Sequence, residues 1–310
     1  TTYFTNIIST VIWNSPAEKA GLEKGDEITY GKKSDETEYM DLQEQNKLQQ
    51  FFSDIKAGEE VNLKVKNKAD VTIKKQQYIA SYVKYIDNEQ EMYFSSDEGS
   101  LIVDKKIDNT KGDSSLGNDV AYVKLVEFEG DAAQQFKIAM EHMKSRRRTK
   151  LLLDLRDNGG GSMSVLLDIA SHLIYGNGDR INRIVYAEEK NRKVDFVTTE
   201  NNYNTEIEKI AILANENTAS ASEALIGAMS FDSTRGGKFE LANLVTTFNS
   251  KRHDYSTFGK GIMQTIYNLP NDGALKLTTA VLYQPDATTC IHDKGLVPSD
   301  SRNYMPNNVA

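Results

Sequence analysis

Three short apolar runs, Val120 to Val126, Lys150 to Leu155 and Ile210 to Ala214, are each followed by a stretch in which apolar residues recur at helical spacing. Phe136, Ile138, Ala139 and Met143 mark the first such stretch, Val165 to Ile174 the second and Ala219 to Met229 the third. Strands that alternate with helices in this way constrain the chain to an α/β core. A length of 310 residues fits one large domain of that kind plus a small one.

The net charge of −8 leaves no excess of cations to neutralise phosphates, which argues against nucleic acid as a general partner. No apolar run approaches the roughly 20 residues that span a bilayer. The chain opens Thr1-Thr2-Tyr3 rather than with methionine, and the expectation is that an upstream segment has been removed. Cys290 is the single cysteine, which excludes an internal disulfide and a thiolate metal cluster. Its Val/Leu/Tyr-rich surroundings predict a small buried apolar residue.

Residues 1–82 read as a small β-rich module. Ile7 to Trp13 is apolar and β-branched and predicts a strand; Asn14-Ser15-Pro16 starts a short helix that Gly21 stops. Lys24-Gly25-Asp26 turns the chain into a strand over Glu27 to Tyr30. Leu42, Leu48, Phe51, Phe52 and Ile55 predict one amphipathic helix, and the alternation of Val61, Leu63 and Val65, then Val71 and Ile73, predicts a closing hairpin. Ser15 to Ile28, SPAEKAGLEKGDEI, closely resembles the corresponding stretch of bacterial PDZ domains. That resemblance implies capture of extended peptide ends by strand addition beside a helix. The loop that holds a terminal carboxylate normally precedes this motif, and only Thr1 to Phe4 stand there, so the module is expected to lack its first residues. A purely structural or gating role is the other reading.

The polar run Asp108 to Ser115 is expected to separate connecting chain from the core. The basic cluster Lys144 to Lys150 is expected to be a solvated helix end, where cations offset the negative end of the backbone dipole.

Asp154-Leu155-Arg156-Asp157-Asn158-Gly159-Gly160-Gly161 joins an apolar strand to a helix, where phosphate-binding loops also lie. Neither phosphate pattern is completed. Ser162-Met163-Ser164 follow without a lysine, and no third glycine falls three residues beyond Gly161. The other use of such a loop is to turn main-chain N–H groups toward a negative charge that appears during reaction. A tight strand-to-helix turn with no further role stays open at this point.

Thr218-Ala219-Ser220-Ala221-Ser222-Glu223 then puts a serine where an apolar strand gives way to a helix. Phe258-Gly259-Lys260-Gly261 supplies a lysine between two glycines, and Gln264 lies one helical turn beyond it. A serine hydroxyl is a poor nucleophile until a base removes its proton, and an uncharged lysine can be that base. Taken in order, Asp154-Leu155-Arg156-x-Asn158-x-Gly160-Gly161, Ala219 to Glu223, and Thr257 to Gly261 with Gln264 resemble the carboxyl-terminal processing peptidases, also called tail-specific proteases. Leu275 to Ala280, Tyr283 to Asp286 and Gly295 to Pro298 match that family's closing segment, with Ala287 where glycine is usual and Ser299 where aspartate is usual. The stretch between Ser220 and Lys260 is longer than usual, and Ser230 to Lys238 and Asn249 to Tyr255 are expected to form loops near the site.

The resemblance implies a crotonase/ClpP-like spiral of ββα units for a peptidase core over residues 83–310, preceded by the PDZ-like module over 1–82. It implies Ser220 as nucleophile, Lys260 as general base and Gln264 as the residue that orients the lysine. The amides of Ala221 and Gly160, with Gly161 as a further candidate, would form the oxyanion hole. Ser222 competes for the nucleophile's role, but the motif puts the reactive serine three residues before the glutamate; Glu223 itself reads as a helix-start residue. Polypeptide substrates are implied, with the PDZ-like module as a further place to hold them, as are a bacterial cell-envelope or periplasmic location and the need for no cofactor.

An ordinary lysine, with a pKa near 10.4, is neutral about once in 2,500 molecules at pH 7, so its pKa must fall by about 3 units, or ~4 kcal/mol, for it to act as a base. Burial away from water supplies shifts of that size, and Phe258, Ile262 and Met263 predict an apolar setting. His142 and His172 fall on predicted helices and His253 and His292 in loop-like sequence, none in a triad pattern. No His/Cys/Glu spacing suggests a metal. The rivals are a noncatalytic peptide-binding protein on the same scaffold, with Lys260 kept charged, and acyl-transfer chemistry on a related spiral fold, whose sequence pattern is missing.

Overall fold

The computed structural model describes residues 6–13, 15–44, 47–95, 106–174, 180–187, 192–198, 202–203, 205–231, 242–269, 273–299 and 301–305. The chain forms two compact units, Thr1–Ser81 with Tyr93–Asp108 and Tyr82–Met92 with Asn109–Ala310.

In the first unit the Ser15 hydroxyl accepts the N–H of Glu18 at 3.1 Å and Pro16 takes the first helical position, so helix α1 (Pro16–Lys19) begins where its unpaired amides find a partner. Then come β1 (Ile28–Lys33), β2 (Met40–Asp41), α2 (Lys47–Ser53), β3 (Glu60–Val65) and β4 (Val71–Lys74). The strands make an antiparallel sheet in the order β2-β1-β3-β4. Leu42, Phe51, Ile55, Val61 and Leu63 fill its core. Two expectations shift here. Ile7 to Trp13 is not a regular strand, since it meets neighbours only at isolated bridges, Ile7 with Glu27 and Trp13 with Ser81. Leu42 follows β2 rather than opening the helix, yet it is fully buried, which is why it fitted the apolar period.

The remaining elements are β5 (Val83–Ile86), β6 (Gln90–Ser95), β7 (Lys106–Lys111), β8 (Val120–Leu125), α3 (Ala132–Ser145), β9 (Lys150–Asp154), α4 (Met163–Leu173), β10 (Arg180–Tyr186), β11 (Lys193–Val197), β12 (Lys209–Ala214), α5 (Ala221–Phe231), β13 (Ala242–Thr247), β14 (Ile262–Asn268), β15 (Ala274–Tyr283) and β16 (Tyr304–Met305). β7 takes up the first half of the polar run that was expected to be a separator. The large sheet runs β16-β13-β12-β9-β8-β5-β6-β7, with β8, β9, β12 and β13 mutually parallel. This is a mixed α/β fold.

β8, β9, β12 and β13 cross the sheet in chain order, with β10 and β11 of the second sheet intervening between β9 and β12. Of the helices that follow these strands, α3 packs on α4 and α4 on α5. The sequence supports the layer: Ala121, Val123 and Leu125 of β8 alternate inward, and Phe136, Ala139 and Met143 of α3 are fully buried beneath it. A second, antiparallel sheet, β11-β10-β15-β14, carries a smaller core of Ile184, Ala280 and Leu282.

The basic cluster after α3 is a solvated helix end only in part: Lys144 and Arg147 are exposed, but Arg146 and Arg148 turn inward. Arg146 Nε and Arg148 Nε donate to Oδ2 of buried Asp87 at 3.0 and 3.2 Å, and both guanidinium groups also reach Glu89. A fully buried carboxylate draws the two arginines inward because its charge needs counter-charge there.

Candidate active site

β9 and β12 are parallel neighbours with Leu213 opposite Asp154, so the loops that follow them leave the sheet side by side at its carboxyl edge. That edge is where open α/β sheets carry their sites. The glycine loop follows β9 and Ser220 follows β12. Asn158, fully buried, ties the two: Nδ2 donates to Leu125 O at 2.9 Å, and its main-chain oxygen accepts the Ala219 N–H and the Ser222 hydroxyl, each at 3.0 Å. Ser222 is thus buried and engaged, whereas Ser220 is half-buried. Gly160, at φ +103°, lies so close that a Cβ there would stand 2.7 Å from Ser220 Cβ and 2.8 Å from Ala221 N. Only glycine fits.

Ser220 itself has φ +59°, in the left-handed region that costs a side-chain-bearing residue about 1 kcal/mol or more. It caps α5 in an unusual way. In a Ser-x-x-Glu capping box the glutamate accepts the cap residue's N–H while the serine hydroxyl bonds forward into the helix. Here Glu223 Oε2 accepts Ser220 N–H at 3.0 Å, but the hydroxyl makes no return bond. The left-handed turn frees it for other chemistry.

Glu223 also organises the lysine loop. It is fully buried; Oε1 accepts the Thr257 hydroxyl and the Gly259 N–H at 2.7 Å, and Oε2 accepts the Lys260 N–H at 2.9 Å. Phe258 N–H donates to Thr218 O at 2.9 Å, and Leu282 N–H to Gly261 O at 2.9 Å. The segment Asn249 to Tyr255, expected as a nearby loop, braces this arrangement: Arg252 Nη1 donates to Phe258 O at 2.6 Å and Nε to the Ser256 hydroxyl at 2.9 Å. Of the other expected loop, residues 232–238 lie outside the described residues.

Ser220 and Lys260 line one cavity of about 10 Å³ together with Asn182, Gln284 and Leu282. Both are fixed through their main chains, and no hydrogen bond joins Ser220 Oγ to Lys260 Nζ. Lys260 is exposed, so the apolar burial expected from its flanking residues is absent in this conformation. Gln264 is on β14, opposite Thr278 and just past a bulge, not on a helix; its side chain is exposed. The expected helical turn fails because Gly261 hands the chain straight into a hairpin. Ala221 N is the first amide of α5, where the helix dipole favours negative charge. Gly160 N–H, by contrast, donates to Asn158 Oδ1 at 2.9 Å. Cys290 is half-buried rather than buried, its thiol toward Gly261 O. Of the histidines, His142 bonds Gln90 and His292 faces Asp293.

Beneath the glycine loop, Asp154 is fully buried. Burial alone would raise its carboxyl, but hydrogen bonds from Arg156 and the charge of Lys124 outweigh it, and the Tyr122 hydroxyl adds a further donor, so it is held below the usual carboxylate range. Arg156 turns back two residues onto Asp154, which stiffens the loop at its root.

The sequence pattern of peptidase family S41 matches residues 119–233 and 254–300, more than half of the chain, including the glycine loop, Ser220, Glu223 and Lys260. The chain belongs to peptidase family S41. It is 28% identical over 298 residues to carboxyl-terminal-processing peptidase 3, chloroplastic, of Arabidopsis thaliana, covering 94% of this chain and 49% of that protein. It is 30% identical over 188 residues to a carboxyl-terminal-processing protease of Synechocystis sp., covering 61% of this chain and 39% of the relative. A probable CtpA-like serine protease of Staphylococcus aureus is 30% identical over 195 residues, covering 61% of this chain and 35% of that one. The chain therefore spans about half, or less, of the relatives it matches. Its fold is similar to that of a photosystem II D1 C-terminal processing protease, with a TM-score of 0.56 at 20% identity over 98% of this chain and 69% of the other.

Proposed function

We propose that this chain carries the active site of a serine endopeptidase of the carboxyl-terminal processing type. The observation that carries the reading is that Ser220 and Lys260 line one cavity while their main-chain amides hang from one glutamate. Ser220 Oγ attacks a peptide carbonyl as Lys260 Nζ takes its proton; the protonated lysine then gives that proton to the leaving amine, and water releases the acyl-enzyme. The Ala221 amide receives the oxyanion, with Gly161 beside it, and Gly160 joins once Asn158 Oδ1 gives up its N–H. A bound peptide lying over Lys260 would remove it from water and so favour the neutral amine. Gln264, with an exposed side chain near the start of β14, would orient the lysine only after such closure. The alternation of parallel strands and helices with a separate antiparallel sheet supports a crotonase/ClpP-like spiral.

For the first unit we propose a PDZ-like peptide-binding role, with residues 1–82 as the module and 83–310 as the peptidase core. Its support is an apolar cavity of about 640 Å³ whose lining includes Ile8, Val11, Ile12, Phe52 and Tyr78. No helix among the described residues is long and apolar enough to cross a membrane. The peptidase and protease names of the relatives support polypeptide substrates; work in the cell envelope of a bacterium is proposed on the family resemblance alone.

The test is cleavage of a denatured polypeptide by the 310-residue chain, with Ser220→Ala and Lys260→Ala alongside. Wild type is expected to cleave and both variants to be inactive with unchanged circular dichroism. Peptide binding without cleavage by wild type would establish the noncatalytic reading instead, which the exposure of Lys260 in this conformation favours.

A further inference from the structure

Two buried amides at the candidate site have unpartnered polar atoms. Asn182 is 1% exposed and neither its Nδ2 nor its Oδ1 finds a partner; Gln284 is 3% exposed and its Oε1 is likewise unpartnered. Buried polar groups are nearly always hydrogen-bonded, so such exceptions call for an explanation. Both line the cavity that Ser220 and Lys260 line.

The fold delivers them there through two local departures from regularity. β10 is bulged between Arg180 and Asn182, so that Ile181 and Asn182 are both buried where a regular strand would alternate. The β10–β15 ladder ends at Arg183 opposite Tyr283, and one step further its register brings Asn182 opposite Gln284. On the other side, α5 carries Gly227 in its interior, where glycine weakens a helix. A Cβ at Gly227 would stand 1.5 Å from Gln284 Oε1. The bulge turns one amide inward and the helix glycine makes room for the other.

The cavity's volume of about 10 Å³ is what a single water needs, and a buried water asks for two to four polar partners. An amide pair with free donor and acceptor atoms, a hydroxyl and an amine supply them. We propose that Asn182 and Gln284 hold the water that releases the acyl-enzyme, an inference that rests on the serine–lysine reading above. In that step neutral Lys260 Nζ takes a proton from the held water as its oxygen bonds to the acyl carbon. The tetrahedral intermediate then breaks its bond to Ser220 Oγ, which takes the proton back from the lysine. The products are a free carboxylic acid and the starting enzyme. Neither amide changes its own protonation; each positions the water.

The experiment uses Asn182→Leu and Gln284→Met, which keep approximate volume and remove hydrogen bonding, with an activated peptide ester as substrate. The expected result is a pre-steady-state burst like that of wild type, followed by steady-state turnover at least tenfold slower, and an acyl adduct on Ser220 that accumulates and is visible by mass spectrometry. Thermal stability is expected to be unchanged or higher, which a merely structural amide would not allow. Unchanged steady-state turnover, or a burst phase slowed as much as the steady state, overturns the proposal. If one variant does not fold, the other carries the kinetics. A high-resolution crystal structure of the wild type needs neither: an ordered water bonded to both amides supports the proposal and a dry cavity overturns it. Wild type that forms no Ser220 adduct sinks the peptidase reading as well, whereas normal wild-type acylation with unaffected variants sinks this inference alone.

Discussion

The main-chain N–H groups of Ser220 and Lys260 end on the same atom, Oε2 of Glu223, at 3.0 and 2.9 Å. One buried carboxylate therefore sets the spacing of two residues that lie far apart in the chain. Glu223→Gln preserves shape but presents an N–H₂ group or a single uncharged oxygen to four donors. Charge-assisted hydrogen bonds to buried groups are worth about 1.5–3 kcal/mol each. The variant is expected to lose about 2–3 kcal/mol of stability in urea titration and roughly 10²-fold in kcat, with KM little changed. A stable variant with wild-type kcat would show that the shared oxygen does not set the geometry.

The left-handed backbone at Ser220 and the closeness of Gly160 predict opposite effects on stability. Ser220→Gly relieves the strain and is expected to raise stability by about 1 kcal/mol while ending turnover. Gly160→Ala forces its Cβ against Ser220 Cβ, Ala219 O and Ala221 N, all inside 3 Å, and two of these are main-chain atoms that cannot step aside. A loss of at least ~2 kcal/mol, with kcat reduced by about 10²–10³, is expected from thermal melts and turnover assays on the same preparations. Unchanged melting of Gly160→Ala would mean that the loop yields more easily than its contacts indicate.

How much of this was legible in the sequence depends on the range of the forces involved. β8, β9, β12 and the helices after them could be read because their apolar period is local. So could Ser220 at a helix start, because Ser-x-x-Glu is a local capping pattern. Glu223 was read only as a helix-start residue, since its bonds to Thr257, Gly259 and Lys260 join segments with no local signal. The turn of helix expected from Lys260 to Gln264 failed because Ile266 and Tyr267 of β14 and Leu275 and Leu277 of β15 are exposed, so this hairpin has neither a strand's alternation nor a helix's stripe. Asn182 was invisible for a different reason: a bulge shifts the face on which a residue falls, and only the register reveals it. Ala287 stands where glycine is usual, and its φ of +61° gives the reason glycine suits that turn.

Arg252 lies in the added length between Ser220 and Lys260, and its bonds to Phe258 O and Ser256 brace the lysine loop from outside. Arg252→Ala is expected to leave the fold intact, costing about 1–2 kcal/mol, and to lower kcat/KM by roughly tenfold, because slack of a fraction of an ångström in Lys260 degrades proton transfer. Arg252→Lys should recover only part of that loss, since an ammonium cannot serve both acceptors in the fixed fork geometry of a guanidinium. Equal kinetics for wild type and Arg252→Ala would reduce this segment to a passive insertion.

Acid should weaken this fold through Asp87, whose folded carboxyl takes up its proton only after most surface carboxylates have done so. Burial alone would raise the Asp87 carboxyl, but the main-chain N–H groups of Glu89 and Gln90 and the guanidinium groups of Arg146 and Arg148 outweigh it and hold the group at about 2, against an ordinary 3.8. The folded value lies below the unfolded one, so the contribution is fully present above pH ~4 and is lost as the pH falls toward 2. At 1.36 kcal/mol per unit it amounts to about 2 kcal/mol. Urea titrations at pH 7 and pH 4 should nearly agree on this contribution, and one at pH 2.5 should show most of it gone. Asp87→Asn should be less stable at pH 7, because two arginines lose their counter-charge, and its stability should fall less between pH 4 and pH 2.5 than that of wild type. If the variant loses as much stability over that interval as wild type, other carboxylates govern the acid limb and the buried cluster at the end of α3 is not its cause.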